Sequence, residues 1–498
     1  MKKQQVLSLS IASAALLASL GGLKLIDNHL DGTATATPTP SEETTTTSST
    51  DALSTPPTDT PSSPSVEDSE TSQRLSFGED VLIEKEEIGE PNTNFREAKL
   101  RGVEAMSQEN YSAAVEAFEE AIKLYPNAPE TLIYLNNARI GERESHTLAI
   151  AVPIRDNAED VAKEMLRGIA HKQNEVNSEG GINGKPLRIL IADDDSDEEV
   201  AKQVAQALVN SPTVLGVVGH FTSDTSLAAS DIYQSQGLVM ISPTSTSVAL
   251  STKGDYIFRS LTTDGFNAAA LVNYMLNELD LKNAAIFFNS DSDYSTKLVE
   301  VFKERLFIQD GKVIDEFDLF SEDFDANESV QKSIEQGAEV LILFHNTGVL
   351  PKGLEVIKAN ESRLPILSGD SGYKPEMLEL HEYTQDIIVV TVPWVLAGSE
   401  DTPFVKSARE LWEADVSWRT AMTYDAAQAL VTALRGGGSR EEIQAALSDP
   451  NFSVEGVSDV VKFQENTGDR DGSPLLVTVG TFPNTSEKYR FVPAKSSN

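Results

Sequence analysis

The chain contains no cysteine. That absence removes disulfides, thiol catalysis and Cys-ligated zinc together, along with the acylated N-terminal cysteine of a lipoprotein. It leaves an oxidising compartment open, because a large core needs no cross-links. Positive charge is also scarce: Lys+Arg number 40 against Asp+Glu 78, a formal −38 over 498 residues. Nucleic-acid binding depends on clustered cations that release counterions, so this balance argues against polyanionic partners. The 6 histidines are scattered without HExxH spacing, and nothing assembles a nucleophile with a base. A phosphate loop would need GxxxxGK[ST], and a dinucleotide site would need GxGxxG after a strand; both are missing. An enzyme, a metal and a cofactor are therefore not expected.

What is present begins at the N-terminus. Lys2 and Lys3 precede the apolar run VLSLSIASAALLASLGGL (6–23), the charged and apolar regions of an export signal. The run approaches the roughly 17–25 residues that a membrane span needs. The small-x-small sites at Ala12–Ala14 and Ala34–Ala36 are poorly spaced for cleavage. An uncleaved anchor is favoured over a cleaved, soluble form, with the Lys pair inside and the rest of the chain periplasmic. Residues 33–73 are Thr, Ser, Pro and acid, a composition that cannot offset ordering entropy and reads as a disordered tether.

A helical unit follows over 94–141. Gly102, Ala114, Phe118, Ala121 and Pro126, with Tyr111 opening the second helix, sit at the spacing of a tetratricopeptide repeat. PETLIYLNNARI (129–140) predicts a further helix. A single repeat cannot bury its own apolar face, so the unit should stack on the main domain or on a partner protein.

From 146 onward, short apolar runs alternate with helical periods. Strands are predicted at 148–154, 187–192, 213–219 and 238–242, with helices over 158–178, 197–210 and 224–236 between and around them. The rhythm restarts at 263 with helices at 265–279, 294–309, 325–336 and 350–359. Strands interleave at 284–289, 312–319, 339–344, 364–368 and 386–392. A long helix over 420–434 and a terminal hairpin region close the chain. This is an α/β pattern of two doubly wound, Rossmann-like lobes with parallel sheets.

Ligands of such sheets bind beyond the carboxyl ends of the strands. There, GVVGHFTSDTS (216–226) and VMISPTSTS (239–247) each end a strand in a row of hydroxyls. The backbone N–H groups of Thr222 and Ser223 would start a helix and attract an anion. SGDSGY (368–373) has no hydrolase elbow around its serine, and it would instead project Asp370 into the cleft between the lobes. DFDANES (323–329) lacks the Gly and the closing Glu of a calcium loop, and NTGDRDGSP (466–474) reads as a turn. Asp193, Asp194 and Asp195 read as a solvated turn and helix cap.

NSEGGINGKPLRILIADDDSD (177–197), GVVGHFTSDTSLAASDIYQSQGLVMISPTSTSVALS (216–251) and FRSLTTDG (258–265) together resemble the type I periplasmic solute-binding proteins of ABC importers, in the leucine/isoleucine/valine-binding branch. The likeness runs from about 146 to 485. It implies a two-lobed clamp that closes on an amino acid or amide and hands it to a permease. It also implies that the loops around Phe221, Thr222, Ser223 and around Thr244, Ser245, Thr246 hold the solute's α-carboxylate. From the second lobe it implies a covering role for Tyr294 and an ammonium partner in Asp370. His345 and Asn346 end a second-lobe strand and are placed at the cleft. The first strand departs from the family by ending in Pro153-Ile154-Arg155-Asp156, which leaves Arg155 facing an acidic solute or solvent. The aromatic expected early in the first helix is also missing, with Phe221, Tyr424 or Trp418 in its stead.

The expected organisation is an anchor over 1–30, a tether over 31–90, the helical unit over 91–143 and the solute-binding domain over 146–485. Lobe one takes 146–262 and 395–450, and lobe two takes 263–392 and 451–490. A ligand-sensing ectodomain that signals through a partner on the helical unit is the alternative function.

Overall fold

The computed structural model describes residues 70–86, 92–155, 158–481 and 488–495. The expected anchor over 1–30 and most of the tether lie outside the described residues. Among those described, no helix is long and apolar enough to cross a membrane.

Described structure begins inside the stretch assigned to the tether over 31–90, near the end of its Thr/Ser/Pro-rich part at 73. Within residues 70–86, β1 (Leu75–Ser76) pairs antiparallel with β3 (Leu187–Asp193), and Leu82 and Ile83 are buried. Three helices follow: α1 (Thr93–Ser107), α2 (Tyr111–Leu124) and α3 (Pro129–Ile140). Asn92 and Asn110 cap the first two, each side chain accepting from a first-turn N–H. The backbones of α1 and α2 approach closely at Gly102, where an added Cβ would lie 2.4 Å from the Phe118 ring. Every residue of α3 except Arg139 is buried, which explains why its sequence lacks a polar face. It packs against both α2 and α4 (Glu159–Ser178), so the unit stacks on the domain behind it. Asn137 joins the two: its Nδ2 donates to the carbonyls of Phe77 and Ile189 (both 2.8 Å), and its Oδ1 accepts from Ile189 N–H at 3.2 Å. Together β1 and Asn137 satisfy the outer edge of β3, which would otherwise stand open.

Lys99 lies at the base of this unit. Its ammonium is 2.5 Å from Glu130 and 2.8 Å from Glu86, and it donates to the Ile83 carbonyl at 2.9 Å. All three charged side chains are buried. The paired carboxylates raise the Lys99 pKa despite its burial.

The first lobe is a six-stranded sheet in the order β1-β3-β2-β4-β5-β6, with β2 (His146–Val152), β4 (Val214–Val218), β5 (Met240–Ser242) and β6 (Ile257–Arg259) completing it. All neighbours except β1 are parallel, and the middles of the long strands are apolar because helices cover both faces. Crossovers run through α4, α5 (Glu198–Asn210) and α6 (Ser223–Gln236). Gly168 of α4 touches the backbone of a later helix, α12 (Trp418–Gly436). A Cβ there would meet the Thr420 carbonyl at 2.5 Å, so only glycine permits the approach.

The second lobe is a seven-stranded sheet, β15-β14-β11-β10-β9-β7-β8. Its parallel part comprises β7 (Asn283–Phe288), β8 (Lys312–Asp318), β9 (Val340–Phe344), β10 (Ile366–Ser368) and β11 (Ile388–Val392). The antiparallel pair β14 (Leu475–Thr481) and β15 (Tyr489–Pro493) extends it. Helices α7 (Asp264–Asn273), α8 (Asp293–Ile308), α9 (Ala326–Glu335) and α10 (Leu350–Asn360) cover it, with short turns at Pro375–Glu379 and His381–Thr384. Asp325 of the calcium-like stretch caps α9 by accepting from Glu328 N–H at 2.8 Å. The chain crosses between lobes after β6 and after β11, where α11 (Pro403–Trp412) returns to stack Phe404 on His171 of α4.

The third crossing lies further on than expected. Residues from 451 were assigned to lobe two, yet β12 (Val454–Glu455), β13 (Val460–Val461) and the loop to Arg470 pack on lobe one, after α12 and α13 (Arg440–Leu447). Arg470 is the cause. Buried, it pairs with Asp425 of α12 at 2.6 Å and donates to the Ser260 carbonyl at 2.8 Å.

Candidate functional site

The carboxyl ends of β4 and β5 bring the two hydroxyl-rich loops together. Thr222 caps α6, its Oγ1 accepting from Thr225 N–H at 3.0 Å. This leaves the first-turn N–H groups of Ser223 and Asp224 beyond the reach of any helical carbonyl. Thr244 Oγ1 donates toward the carbonyls of Phe221 (2.7 Å) and His220 (3.1 Å), and Ser245 Oγ donates to Ser223 Oγ at 3.0 Å. Ser223, Thr244, Ser245 and Thr246 are all buried, while Phe221 and Thr222 are half-buried. The two loops therefore lie side by side as one wall, cross-bonded through Phe221–Thr244 and Ser223–Ser245.

Two buried side chains hold that wall from behind. The His220 ring bonds Asp194 through Nδ1 (2.6 Å) and Tyr233 OH through Nε2 (3.1 Å), while its carbonyl also receives the Ser226 and Ser242 hydroxyls. Arg259, fully buried, donates to the carbonyls of Ser245 (3.2 Å) and Ser247 (2.8 Å) and pairs with Asp469 at 2.7 Å. The acidic run is thus not a solvated turn. Asp194 serves His220. Asp193, also buried, accepts from Ile154 N–H and pairs with Arg74 (3.3 Å) and Arg155 (3.2 Å). Arg155 is exposed to solvent and does not join the hydroxyl wall. It lies against Asp193 and donates to the Gln73 carbonyl.

The opposing wall comes from lobe two. Tyr294, in the first turn of α8, donates from its OH to Asp370 Oδ1 at 3.0 Å, and Asp370 opens a short turn just after β10. Burial raises the carboxyl pKa of Asp370, with Arg419 opposing, and raises that of the Tyr294 phenol further. Ser371 donates to the His345 carbonyl at 2.6 Å. His345 itself corrects the expectation. Its ring packs against Gly353 of α10 with both nitrogens unpartnered, and burial lowers its pKa to about 4. Only its backbone carbonyl supports the Asp370 turn. Tyr424 and Trp418 do not supply the missing aromatic in the expected way: Tyr424 OH donates to Glu175 at 2.6 Å, and Trp418 lies fully buried beneath Arg419.

The lobes meet along a polar rim. Asp224 Oδ1 accepts from Asp293 N–H at 2.7 Å, and Ser247 Oγ donates to Asp293 Oδ2 at 2.7 Å. Inside this rim, buried polar atoms lack partners: Thr246 Oγ1, Asp264 Oδ2 and Arg419 Nε. Buried groups of this kind are nearly always satisfied in folded proteins. Asp264 is the first residue of α7, and its N–H donates to the Thr246 carbonyl at 2.8 Å. Burial, reinforced by the charge of Asp370, pushes its carboxyl up to about 7. The chemistry on offer is a wall of neutral donors facing carboxylates and one guanidinium.

Residues 147–478, well over half of the chain, match the family model described as "Periplasmic binding protein". The chain belongs to that family. An "Amino acid binding protein" of Pseudomonas aeruginosa is 28% identical over 195 residues, 39% of this chain and 52% of the relative. The "Leu/Ile/Val-binding protein" of Escherichia coli is 34% identical over 113 residues, 22% of this chain and 30% of its own. This periplasmic binding protein therefore aligns with about half or less of those curated relatives. Among solved structures, a leucine-binding protein of Thermotoga maritima shares the fold at TM-score 0.60 and 21% identity, covering 70% of this chain and 97% of its own. A substrate-binding protein of Desulfitobacterium hafniense in complex with Leu does so at 0.58 and 24%, covering 70% and 100%. The family match begins after α3, so the helical unit lies outside it.

Reasoning from sequence missed Asp264, Arg419 and Arg259 in this binding protein. Asp264 and Arg259 stood within the quoted FRSLTTDG and could have been marked as charges in an otherwise uncharged loop. Arg419 carried no such signal.

Proposed function

We propose that this chain captures an amino acid or related amide between its lobes and delivers it to an ABC permease outside the cytoplasm. The observation that carries the reading is the pairing of complementary walls inside one rim. The neutral hydroxyls and first-turn N–H groups of the 222–223 and 244–246 loops suit a carboxylate. Asp370, oriented by Tyr294 at 3.0 Å, suits an ammonium group. Family membership and the amino-acid names of the relatives support the same reading. The roles follow residue by residue: Ser223 and Thr246 donate to the α-carboxylate, Asp370 pairs with the ammonium, and Tyr294 covers it. The Lys2–Lys3 start and the apolar run after it would tether the chain to the membrane, and α1–α3 would offer a tetratricopeptide-like surface to a protein partner.

Thermal melts of the full chain with and without amino acids test the reading. Ligand at about 100 times its Kd adds about 2.7 kcal/mol, which is roughly a 2–4 °C rise per kcal/mol or less at this chain size. A melt that no amino acid or amide moves would contradict the proposal.

A further inference from the structure

We propose that Arg419 is a second anion anchor in the cleft, so that the captured solute is an acidic amino acid carrying a side-chain carboxylate besides its α-carboxylate. The inference rests on the amino-acid reading above and narrows it to a class.

Arg419 is the second residue of α12 and is 6% exposed. A guanidinium has five donors, and burying it is costly unless they are met. Here its NH1 reaches only the Tyr373 carbonyl, at 3.4 Å, and its Nε has no partner. Neighbouring acids are already engaged. Glu164 pairs with Arg167 and accepts from Ser417 N–H, Ser417 Oγ (2.8 Å) and Thr420 Oγ1 (2.6 Å). Asp370 takes the Tyr294 hydroxyl and feels Arg419 only through space. Among the described residues no carboxylate forms an ion pair with Arg419.

Geometry prepares the group for a planar acid. Its guanidinium carbon stands 4.4 Å over the Trp418 ring, a cation–π contact that helps hold the group in place. A fork so held matches a carboxylate through two parallel bonds. Lys374, close enough to feel Arg419, has its ammonium pKa lowered to about 8 by burial and then by that guanidinium. Arg419 from lobe one and Lys374 from lobe two thus place two desolvated cations near one another, and an anion between them relieves both. An aliphatic side chain would relieve neither and would leave the guanidinium buried against carbon. The α-carboxylate does not need Arg419, because the hydroxyl wall supplies its own donors. The Asp264 carboxyl, whose Oδ1 accepts from Asn267 while its Oδ2 has no partner, offers the opposite preference, a basic solute, and the test below separates the two.

Calorimetric titration of the full chain with L-glutamate, L-aspartate, L-leucine and L-lysine decides the matter. The expected result is that glutamate or aspartate binds at least tenfold more tightly than leucine or lysine. Arg419→Leu should cost the acidic solute more than tenfold and narrow its lead over leucine, and Arg419→Lys should recover part of the loss. Tighter binding of leucine or lysine by the parent chain overturns the inference and leaves the amino-acid reading standing. Binding of none of the four, nor of any other amino acid, overturns both. The parent titrations decide even if Arg419→Leu fails to fold, which its thermal melt would reveal.

Discussion

Asp264→Asn should make the protein more stable, and increasingly so as pH rises. The Asp264 carboxyl is buried, one oxygen lacks a partner, and it titrates near 7 in the folded chain. An unfolded aspartate titrates near 3.9, roughly. Because the folded value is raised, the contribution to stability is intact below about pH 4 and is lost as pH climbs through about 7. With both forms ionised, at pH 8, the cost to the fold is about 4 kcal/mol; at pH 5, where the folded group keeps its proton, it is about 1.5 kcal/mol. Asparagine removes this dependence while preserving the shape of the side chain. Part of that cost is the repulsion between Asp264 and Asp370, which is already contained in the raised value. Urea titrations of parent and variant at pH 5 and 8 measure the difference, with equal m-values licensing the comparison. The stability gap should widen by about 2.5 kcal/mol between the two pH values. A gap that stays constant, or a variant less stable at pH 8, would refute the electrostatic argument.

Lys99→Met should destabilise the helical unit by about 3–5 kcal/mol, because it strands two carboxylates without their cation; these are Glu86 and Glu130, both buried. A loss below about 1 kcal/mol in urea titration would show that the triad is better solvated than its burial implies. Gly102→Val should cost about 1–3 kcal/mol, since its Cβ would sit 2.4 Å from Phe118. An unchanged melting temperature would mean that α1 and α2 separate freely.

Much of the lobe architecture was legible because parallel strands covered on both faces are unbroken apolar runs. LAIAV in β2 and VLILF in β9 could be little else. The hydroxyl wall was legible for a related reason: Ser and Thr clusters interrupt two such runs at the same end of one sheet. The SGDSGY loop likewise placed Asp370 directly after a strand. Edges and crossings were harder. The two-residue β1 exists only because β3 has a free edge beside it, so nothing in RLSFGED announces a strand. The segment 454–470 follows Arg470 to Asp425, a partner 45 positions away. His345 looked like a cleft residue because it ends a strand, yet Gly353 leaves space for its ring on the helix side. Arg419 was hidden most completely. In VSWRTAMTYDA it has the look of a polar position on an amphipathic helix, and its burial depends on Tyr373 and Asp370 of the other lobe.

The central claim is that one solute bridges the hydroxyl wall and Asp370. Calorimetric titration of an amino acid that stabilises the parent, repeated on Asp370→Ala, tests it most directly. A desolvated charge pair that loses one partner costs about 2–5 kcal/mol. The account therefore predicts saturable one-to-one binding by the parent and affinity weakened more than tenfold in the variant. Equal affinity in the two proteins would contradict it.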